Sequence, residues 1–350
     1  MTEIKVLGTG CPNCKTLYRK VQETISEMGI VANLSKEEDM LKIIGFNVIQ
    51  LPGLVINGKV VSMGKVPEKE ELIRLIEKEL PNHEMSEQEL KEMVKQRYGK
   101  LATQTDVNSC CCSKPADPSV KTFTIMSEDY KQLDGYVPEA DLGAGCGLPT
   151  QYARIRKGDT VIDLGSGAGN DCFVARAETG PEGQIIGVDF APEMVARAKT
   201  NAEKNKFDNV RFIEADIEEI PLPDNFSDVV VSNCVLNLLP QKNKIFKEIY
   251  RLLKPGGHFC VSDVVLNGVF PKAFTDNAAM YAGCIASAIQ REDYLAEISK
   301  AGFRNVKVER TKTIQIPDEV LQYHLSQETY NQYKSGDVGV YSITVTGEKL

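Results

Sequence analysis

Ten cysteines stand in this chain of 350 residues, and their spacing separates them into different kinds of chemistry. Cys11-Pro12-Asn13-Cys14 opens a helix whose apolar face carries Leu17, Val21, Ile25 and Met28. At a helix N-terminus the unpaired amides and the dipole favour thiolate, which makes Cys11 the attacking thiol of a dithiol couple. Cys14, one turn on, would resolve the mixed disulfide. A zinc half-site competes for the same motif, but no second CxxC or nearby histidine completes four ligands. Cys110, Cys111 and Cys112 are contiguous, and adjacent cysteines bridge poorly to each other. Cys146 lies in Gly145-Cys146-Gly147-Leu148-Pro149, Cys234 in Ser232-Asn233-Cys234-Val235, and Cys284 in Ala282-Gly283-Cys284-Ile285. Cys172 and Cys260 sit in apolar helix and strand patterns and read as packing residues, since free cysteine behaves as a small hydrophobe.

A second motif concerns a ligand. Asp163-Leu164-Gly165-Ser166-Gly167-Ala168-Gly169 follows an apolar strand and opens a helix, a context in which glycines permit a tight turn and close backbone approach. Asp189 ends the next strand, 20 positions after Gly169, where an acid can accept two ribose hydroxyls. A dinucleotide and an adenosyl cofactor both fit that pattern.

The elements that must position these residues are legible in the periodicity. The chain begins with a strand, Ile4 to Leu7, and the CxxC helix. A hairpin follows in which Leu54 to Ile56 and Val60-Val61 flank Asn57-Gly58, a pair suited to a type I′ turn; a helix over Glu68 to Leu80 comes next. Ser86 and Glu89 form a capping box for a polar helix ending near Tyr98-Gly99, and 103–120 has no sustained periodicity. From Asp159 strands and helices alternate: strands at Val161 to Leu164, Gln184 to Asp189, Val210 to Ala215, Val229 to Val231 and His258 to Val264, with a helix at Lys242 to Leu253. That alternation implies a parallel sheet covered on both faces. Leu266 to Gln290 reads as a helical insertion; a helix over Arg291 to Lys300 and strands at Val306 to Arg310 and Val340 to Thr346 close the chain.

Composition excludes several classes of function. A net charge of -8 and a pI near 5.2 argue against a nucleic-acid partner, whose proteins present basic surfaces. No run approaches the roughly 20 apolar residues that cross a bilayer, and the N-terminus lacks a signal-peptide pattern. A cytoplasmic protein without membrane contact is expected, its cysteines mostly reduced and suited to thiol chemistry or metal binding.

The glycine loop and its flanks resemble the class I S-adenosylmethionine methyltransferases. The resemblance covers approximately Tyr152 to Thr313, extends to Val340 to Thr346, and includes the turn Leu253-Lys254-Pro255-Gly256-Gly257. It implies a Rossmann-like domain that binds S-adenosylmethionine through Asp163, Gly165, Ser166, Gly167, Gly169, Asp189, Phe190, Asp216, Ile217 and Asn233. Asp163 would lie near the methionine amino group and Asp216 near the adenine. Carboxylates at Asp163, Asp189 and Asp216 also suit the positive charge of a sulfonium.

With the triple cysteine and the Ser-Asn-Cys-Val turn, the segment from Gln96 to Leu350 resembles the arsenite methyltransferases. The resemblance implies that Cys146, Cys234 and Cys284 bind As(III), with a fourth cysteine from the contiguous run, Cys111 or Cys112. The chemistry is reasonable on its own terms: soft thiolates favour soft centres, and three can hold a pyramidal As(III) with its lone pair free to attack a sulfonium methyl. No general base is required, so a chain with three histidines is not at a disadvantage. Residues Met1 to Leu80, with Leu51-Pro52 before the hairpin, resemble the small thioredoxin-like redox-active disulfide proteins; that implies a cis Pro52 facing the dithiol.

The expected fold is α/β: a thioredoxin-like domain over 1–81, a linker and lid over 82–120, a Rossmann-like domain over 121–265, and an α+β metalloid-binding region over 266–350. The expected activity is S-adenosylmethionine-dependent methylation of arsenite, free or as a thiol conjugate. The reductant would be a dithiol, either the attached CxxC domain or a thioredoxin served by thioredoxin reductase. Two other readings stay open: a carbon, oxygen or nitrogen methyltransferase of small molecules with structural cysteines, and a thiol-based metalloid-binding redox protein.

Overall fold

The computed structural model describes residues 2–28, 30, 32–46, 48, 50–79, 87–103, 128–270, 285, 287–316, 318, 321 and 325–350. The chain divides into two compact units, Met1–Met85 and Ser86–Leu350.

In the first unit, strand β1 (Thr2–Leu7) leads into helix α1 (Pro12–Met28). Strand β2 (Ala32–Glu37), helix α2 (Met40–Gly45), strands β3 (Gly53–Ile56) and β4 (Lys59–Met63) and helix α3 (Lys69–Glu79) follow. The sheet order is β2-β1-β3-β4, with β2 parallel to β1 and the other pairs antiparallel. Leu17 and Val21 on α1 and Leu72 and Ile76 on α3 bury their helical stripes against Ile4, Val6, Leu54 and Ile56. Asn57 and Gly58 both take positive φ, 48° and 81°, as a type I′ hairpin turn demands. The Leu51-Pro52 peptide is cis, as the thioredoxin-like resemblance implies.

The second unit opens with helix α4 (Glu87–Thr103) and then alternates. Strand β5 (Thr160–Leu164), helix α5 (Asn170–Thr179), strand β6 (Gln184–Asp189), helix α6 (Pro192–Lys204), strands β7 (Val210–Glu214) and β8 (Ser227–Asn233) and helix α7 (Lys242–Leu252) come in that order. Strand β9 (Leu253–Asn267), helix α8 (Arg291–Lys300), strand β10 (Arg304–Thr313), helix α9 (Gln327–Ser335) and strand β11 (Gly339–Glu348) complete it. The seven strands form one sheet in the order β10-β11-β9-β8-β5-β6-β7. Strands β5 to β9 run parallel, while β11 is antiparallel to β9 and β10 to β11. The two central strands are buried along nearly their whole length, as a sheet covered on both faces requires.

Three sequence expectations change in detail. Strand β9 is longer than His258 to Val264, because β11 pairs with it from Asn267 back to His258. The Pro255-Gly256-Gly257 turn is absorbed at its start, where the β8 register shifts between Ser227 and Val229. A domain boundary at 265 would cut this strand, and the C-terminal strands extend the same sheet. Helix α4, placed within a linker and lid segment by the sequence, buries Val94, Leu101 and Ala102 in clusters of the second unit. The insertion expected over Leu266 to Gln290 lies mostly outside the described residues, as do Cys110, Cys111, Cys112 and Cys284. Among the described residues no helix is long and apolar enough to cross a membrane.

Candidate functional site

The loop between β5 and α5 shows why the glycines stand where they do. Gly165 has φ 69°, and a Cβ there would lie 2.4 Å from a methyl carbon of Val235, on the chain just beyond β8. The Gly165 and Ser166 amides donate to the Val188 carbonyl of β6 at 2.7 and 3.0 Å, which folds the loop across the sheet end. Asp189 accepts from the amides of Gly167 and Ala191, both at 2.9 Å, so its carboxylate stitches the loop to the start of α6. Gly169, at φ 101°, is the residue from which α5 departs.

A cleft holding about 770 Å3 of space, open mouth included, lies over this loop. Its wall contains Asp163, Gly165, Ser166, Gly167, Asp189, Phe190, Asn233 and Cys234 from the expected set. Of the other expected cofactor residues, Gly169 turns into α5 and Ile217 is buried in the core. The carboxylate of Asp216 accepts from Lys91 on α4 at 2.8 Å and from the Glu218 amide at 3.0 Å, off the described cleft wall. Lys91 also meets Glu218 at 2.5 Å, so α4 is clamped across the end of β7 by charge as well as apolar packing.

The cleft is acidic. Its described wall carries Asp141, Asp163, Asp171 and Asp189 but no Lys, Arg or His. Burial pushes the carboxyl of Asp163 well above the ordinary range, and the nearby Asp171 charge adds to this. Burial likewise raises Asp171 to about 6, against the hydrogen bonds it accepts from Asn233 and Tyr130. Asp189 is raised by burial, with the backbone amides opposing. The Cys172 thiol donates to Asp163 at 3.2 Å; burial and that carboxylate raise its pKa strongly, so it stays a thiol. Ser166 Oγ and Asn170 Oδ1 are buried in the wall with no hydrogen-bond partner. Clustered buried carboxylates and two orphaned polar atoms fit a cationic ligand with hydroxyl and amino groups, which is the chemical character of S-adenosylmethionine.

Two buried thiols stand beside this cleft. Cys234 follows β8 at φ 60°, a left-handed backbone uncommon outside glycine, and its amide donates to the Ser262 carbonyl of β9 at 2.8 Å. Cys146 is fully buried in the same apolar cluster. Its loop is held by Asn233, whose Oδ1 accepts from the amides of Cys146 and Gly147 at 3.0 and 3.2 Å. The Asn233 amide nitrogen reaches Tyr130 Oη, the Gly147 carbonyl and Asp171 at 2.6, 2.9 and 3.1 Å. From the opposite side the Ser342 hydroxyl donates to the Cys146 carbonyl at 2.7 Å.

Both glycines flanking Cys146 follow from this seating. A Cβ at Gly145 would lie 2.7 Å from Asn233 Nδ2, and one at Gly147 would lie 2.4 Å from Ser262 Oγ. Asn233, expected to contact cofactor, thus also joins the two cysteine loops. Tyr130 and Asp171, which complete the buried hub, were missed by sequence reasoning. Asp171 carried one weak signal, an acid two residues past the last loop glycine, whereas nothing local marked Tyr130.

In the first unit Cys11 and Cys14 form a disulfide with Cα atoms 5.1 Å apart. Cys14 is buried and its amide donates to Cys11 Sγ at 3.2 Å, while Cys11 is partly exposed. Gly8 makes room for it, since a Cβ there would lie 2.4 Å from Cys14 Sγ.

Residues 155–321 match a methyltransferase domain family and residues 2–77 a thioredoxin domain family. An arsenite methyltransferase from Halobacterium salinarum is 40% identical over 232 residues, covering 63% of this chain and 59% of that protein. One from Aquipseudomonas alcaligenes is 31% identical over 267 residues, covering 74% of this chain and 72% of that protein. The chain belongs to the arsenite methyltransferase family. It spans little more than half, 59%, of the Halobacterium salinarum member's length. Within the same arsenite methyltransferase family, the crystal structure of an arsenic(III) S-adenosylmethionine methyltransferase from Chlamydomonas reinhardtii is 30% identical. It superimposes with a TM-score of 0.51 over 67% of this chain and 74% of that one.

Proposed function

We propose that this protein methylates arsenite, with S-adenosylmethionine in the acidic cleft and As(III) on Cys146 and Cys234, completed by Cys284. The observation that carries the reading is the seating of buried Cys234 in the wall of a cleft lined by Asp163, Asp171 and Asp189, with Cys146 in the same buried cluster behind Gly145. When bound, S-adenosylmethionine supplies an electrophilic methyl on a sulfonium sulfur. Asp163 and Asp189 hold the cationic and hydroxyl-bearing ends of that ligand, and Ser166 and Asn170 offer polar atoms that now lack partners. Asn233 fixes the Cys146 loop against the Cys234 turn, so both thiols keep one geometry relative to the cleft. Alignment of this kind is worth up to about 7–11 kcal/mol of the barrier, and no proton need be moved by a base.

Formation of an As–C bond with loss of the S–C bond takes As(III) to As(V). Two thiolates restore As(III) by giving two electrons and closing a disulfide, which a dithiol then reduces by exchange. The Cys11–Cys14 couple is the proposed source of those electrons, recharged by a thioredoxin or thioredoxin reductase in a reducing cytoplasm. Fusion raises the reductant's effective concentration toward the millimolar range.

Incubation with S-adenosylmethionine, arsenite and a thiol reductant should yield S-adenosylhomocysteine and methylarsenicals from the wild type. Cys146→Ala and Cys234→Ala should yield neither beyond background. Cofactor binding without any arsenic methylation would instead mark an organic substrate, and activity that survives both substitutions would remove the thiols from the chemistry.

A further inference from the structure

Behind the Cys234 turn lies a second buried polar cluster with no part in the chemistry above. Lys242 is the first residue of α7 and only 3% exposed. A lysine is doubly disfavoured there, because burial strips its ammonium of water and the helix N-terminus presents the positive end of the dipole. Its Nζ donates to the carbonyls of Asn237 at 3.1 Å, Leu239, and Ser287 at 3.3 Å. Three ammonium protons therefore meet three acceptors.

Those acceptors come from two places. Asn237 and Leu239 lie in and just after the turn Leu236–Leu238 that follows Cys234. Ser287 lies two residues beyond Ile285, which packs in the same buried cluster as Cys146 and Cys234. The counter-charge is Asp263, fully buried near the end of β9, which accepts from Tyr294 Oη at 3.0 Å and from the amides of Val264 and Asn237. Burial lowers Lys242 to about 8 and raises Asp263 to about 7, and each charge opposes the other's shift.

We propose that Lys242, with the Tyr294-bonded Asp263 as its counter-charge, is a positioning residue that ties the turn after Cys234 to the chain at Ser287 and thereby sets the thiol geometry for As(III). This rests on the arsenite reading. An apolar side chain of equal size would leave the three carbonyls without these donors and free the turn to shift. Asn237 is tied twice, through its carbonyl to Lys242 and through its amide to Asp263, so loss of the pair slackens the Cys234 turn first.

The test is a direct titration of the full-length reduced chain with arsenite, followed by the ultraviolet charge-transfer absorbance of arsenic–thiolate bonds. Lys242→Met with Asp263→Asn removes both charges together and leaves neither unpaired in the interior. This double variant is expected to bind arsenite at least tenfold more weakly while its Kd for S-adenosylhomocysteine stays within twofold of wild type. Tyr294→Phe, which removes a single hydroxyl, keeps the question answerable if the double variant fails to fold; a weakening of about threefold for arsenite alone is expected. Arsenite titrations of either folded variant that superimpose on the wild type would overturn the positioning role. Absence of the arsenic–thiolate band in the wild type would overturn the arsenite reading itself, and this inference with it.

Discussion

Asp171 and Asp163 show how burial converts ordinary carboxylates into groups that respond to a cation. The folded-state pKa of Asp171 is raised to about 6, above its unfolded value near 3.9. Between about pH 4 and 6 the folded chain keeps a proton that the unfolded chain has lost, so the stability of the empty protein falls as pH rises through that window. A positively charged ligand reverses the preference, because it favours the ionised carboxylates. S-adenosylmethionine affinity should therefore rise with pH through about 6 and level off above it. Calorimetry near pH 6 in buffers of different ionisation enthalpy should show protons released on binding. A flat affinity between pH 5 and 7 would mean that these carboxylates do not face the ligand's charge. The same scale explains the glycines on either side of Cys146: they are the clearance that Asn233 and Ser262 leave for its backbone.

Helix α4 is the element whose role differs most from its sequence pattern. The sequence placed this polar helix in a linker and lid segment; Val94 and Tyr98 form part of the cleft wall, and Leu101 and Ala102 pack on Ala191 and Met194 at the start of α6. The Arg197 guanidinium donates to the Ala102 carbonyl at 3.0 Å, tying the last turn of the helix to α6. Leu101→Ala should cost about 2–3 kcal/mol, near the low end for a buried leucine because the site lies at the edge of the core. For a unit of this size that lowers the melting temperature by roughly 4–10 °C. Thermal denaturation followed by circular dichroism should show the shift, with S-adenosylmethionine restoring part of it because ligand binding draws the fold back. An unchanged midpoint would indicate that α4 is not anchored through Leu101. The sheet makes the complementary point, since β10 and β11 belong to it although they follow a long intervening segment. Pairing of β11 along β9 makes the C-terminal region part of the methyltransferase sheet.

At the scale of the whole molecule, two units with separate cores each carry cysteines, the Cys11–Cys14 disulfide in the first and buried Cys146 and Cys234 in the second. If the Cys11–Cys14 couple supplies electrons to the second unit, Cys11→Ser with Cys14→Ser should leave a first turnover intact. Later turnovers should slow by tenfold or more unless dithiothreitol is added. Equal multiple-turnover rates for the variant and the wild type, without external reductant, would separate the two units functionally. Much of this organisation was legible without coordinates. The CxxC at a helix start, the Asn57-Gly58 turn, the glycine loop and the alternation of strands and helices are set by local periodicity and backbone geometry, which a sequence carries directly. The partners of Asn233, the clamp of Lys91 on Asp216 and Glu218, and the burial of Lys242 beside Asp263 were not legible. Each joins residues far apart in the chain that become neighbours only in the assembled sheet, at the ends of β5, β8 and β9 for Asn233 and Lys242 and at the end of β7 for Lys91. Local sequence determined which residues could do chemistry, and tertiary packing decided which carboxylates lost their water, which amides held the thiols and which cation was drawn inside.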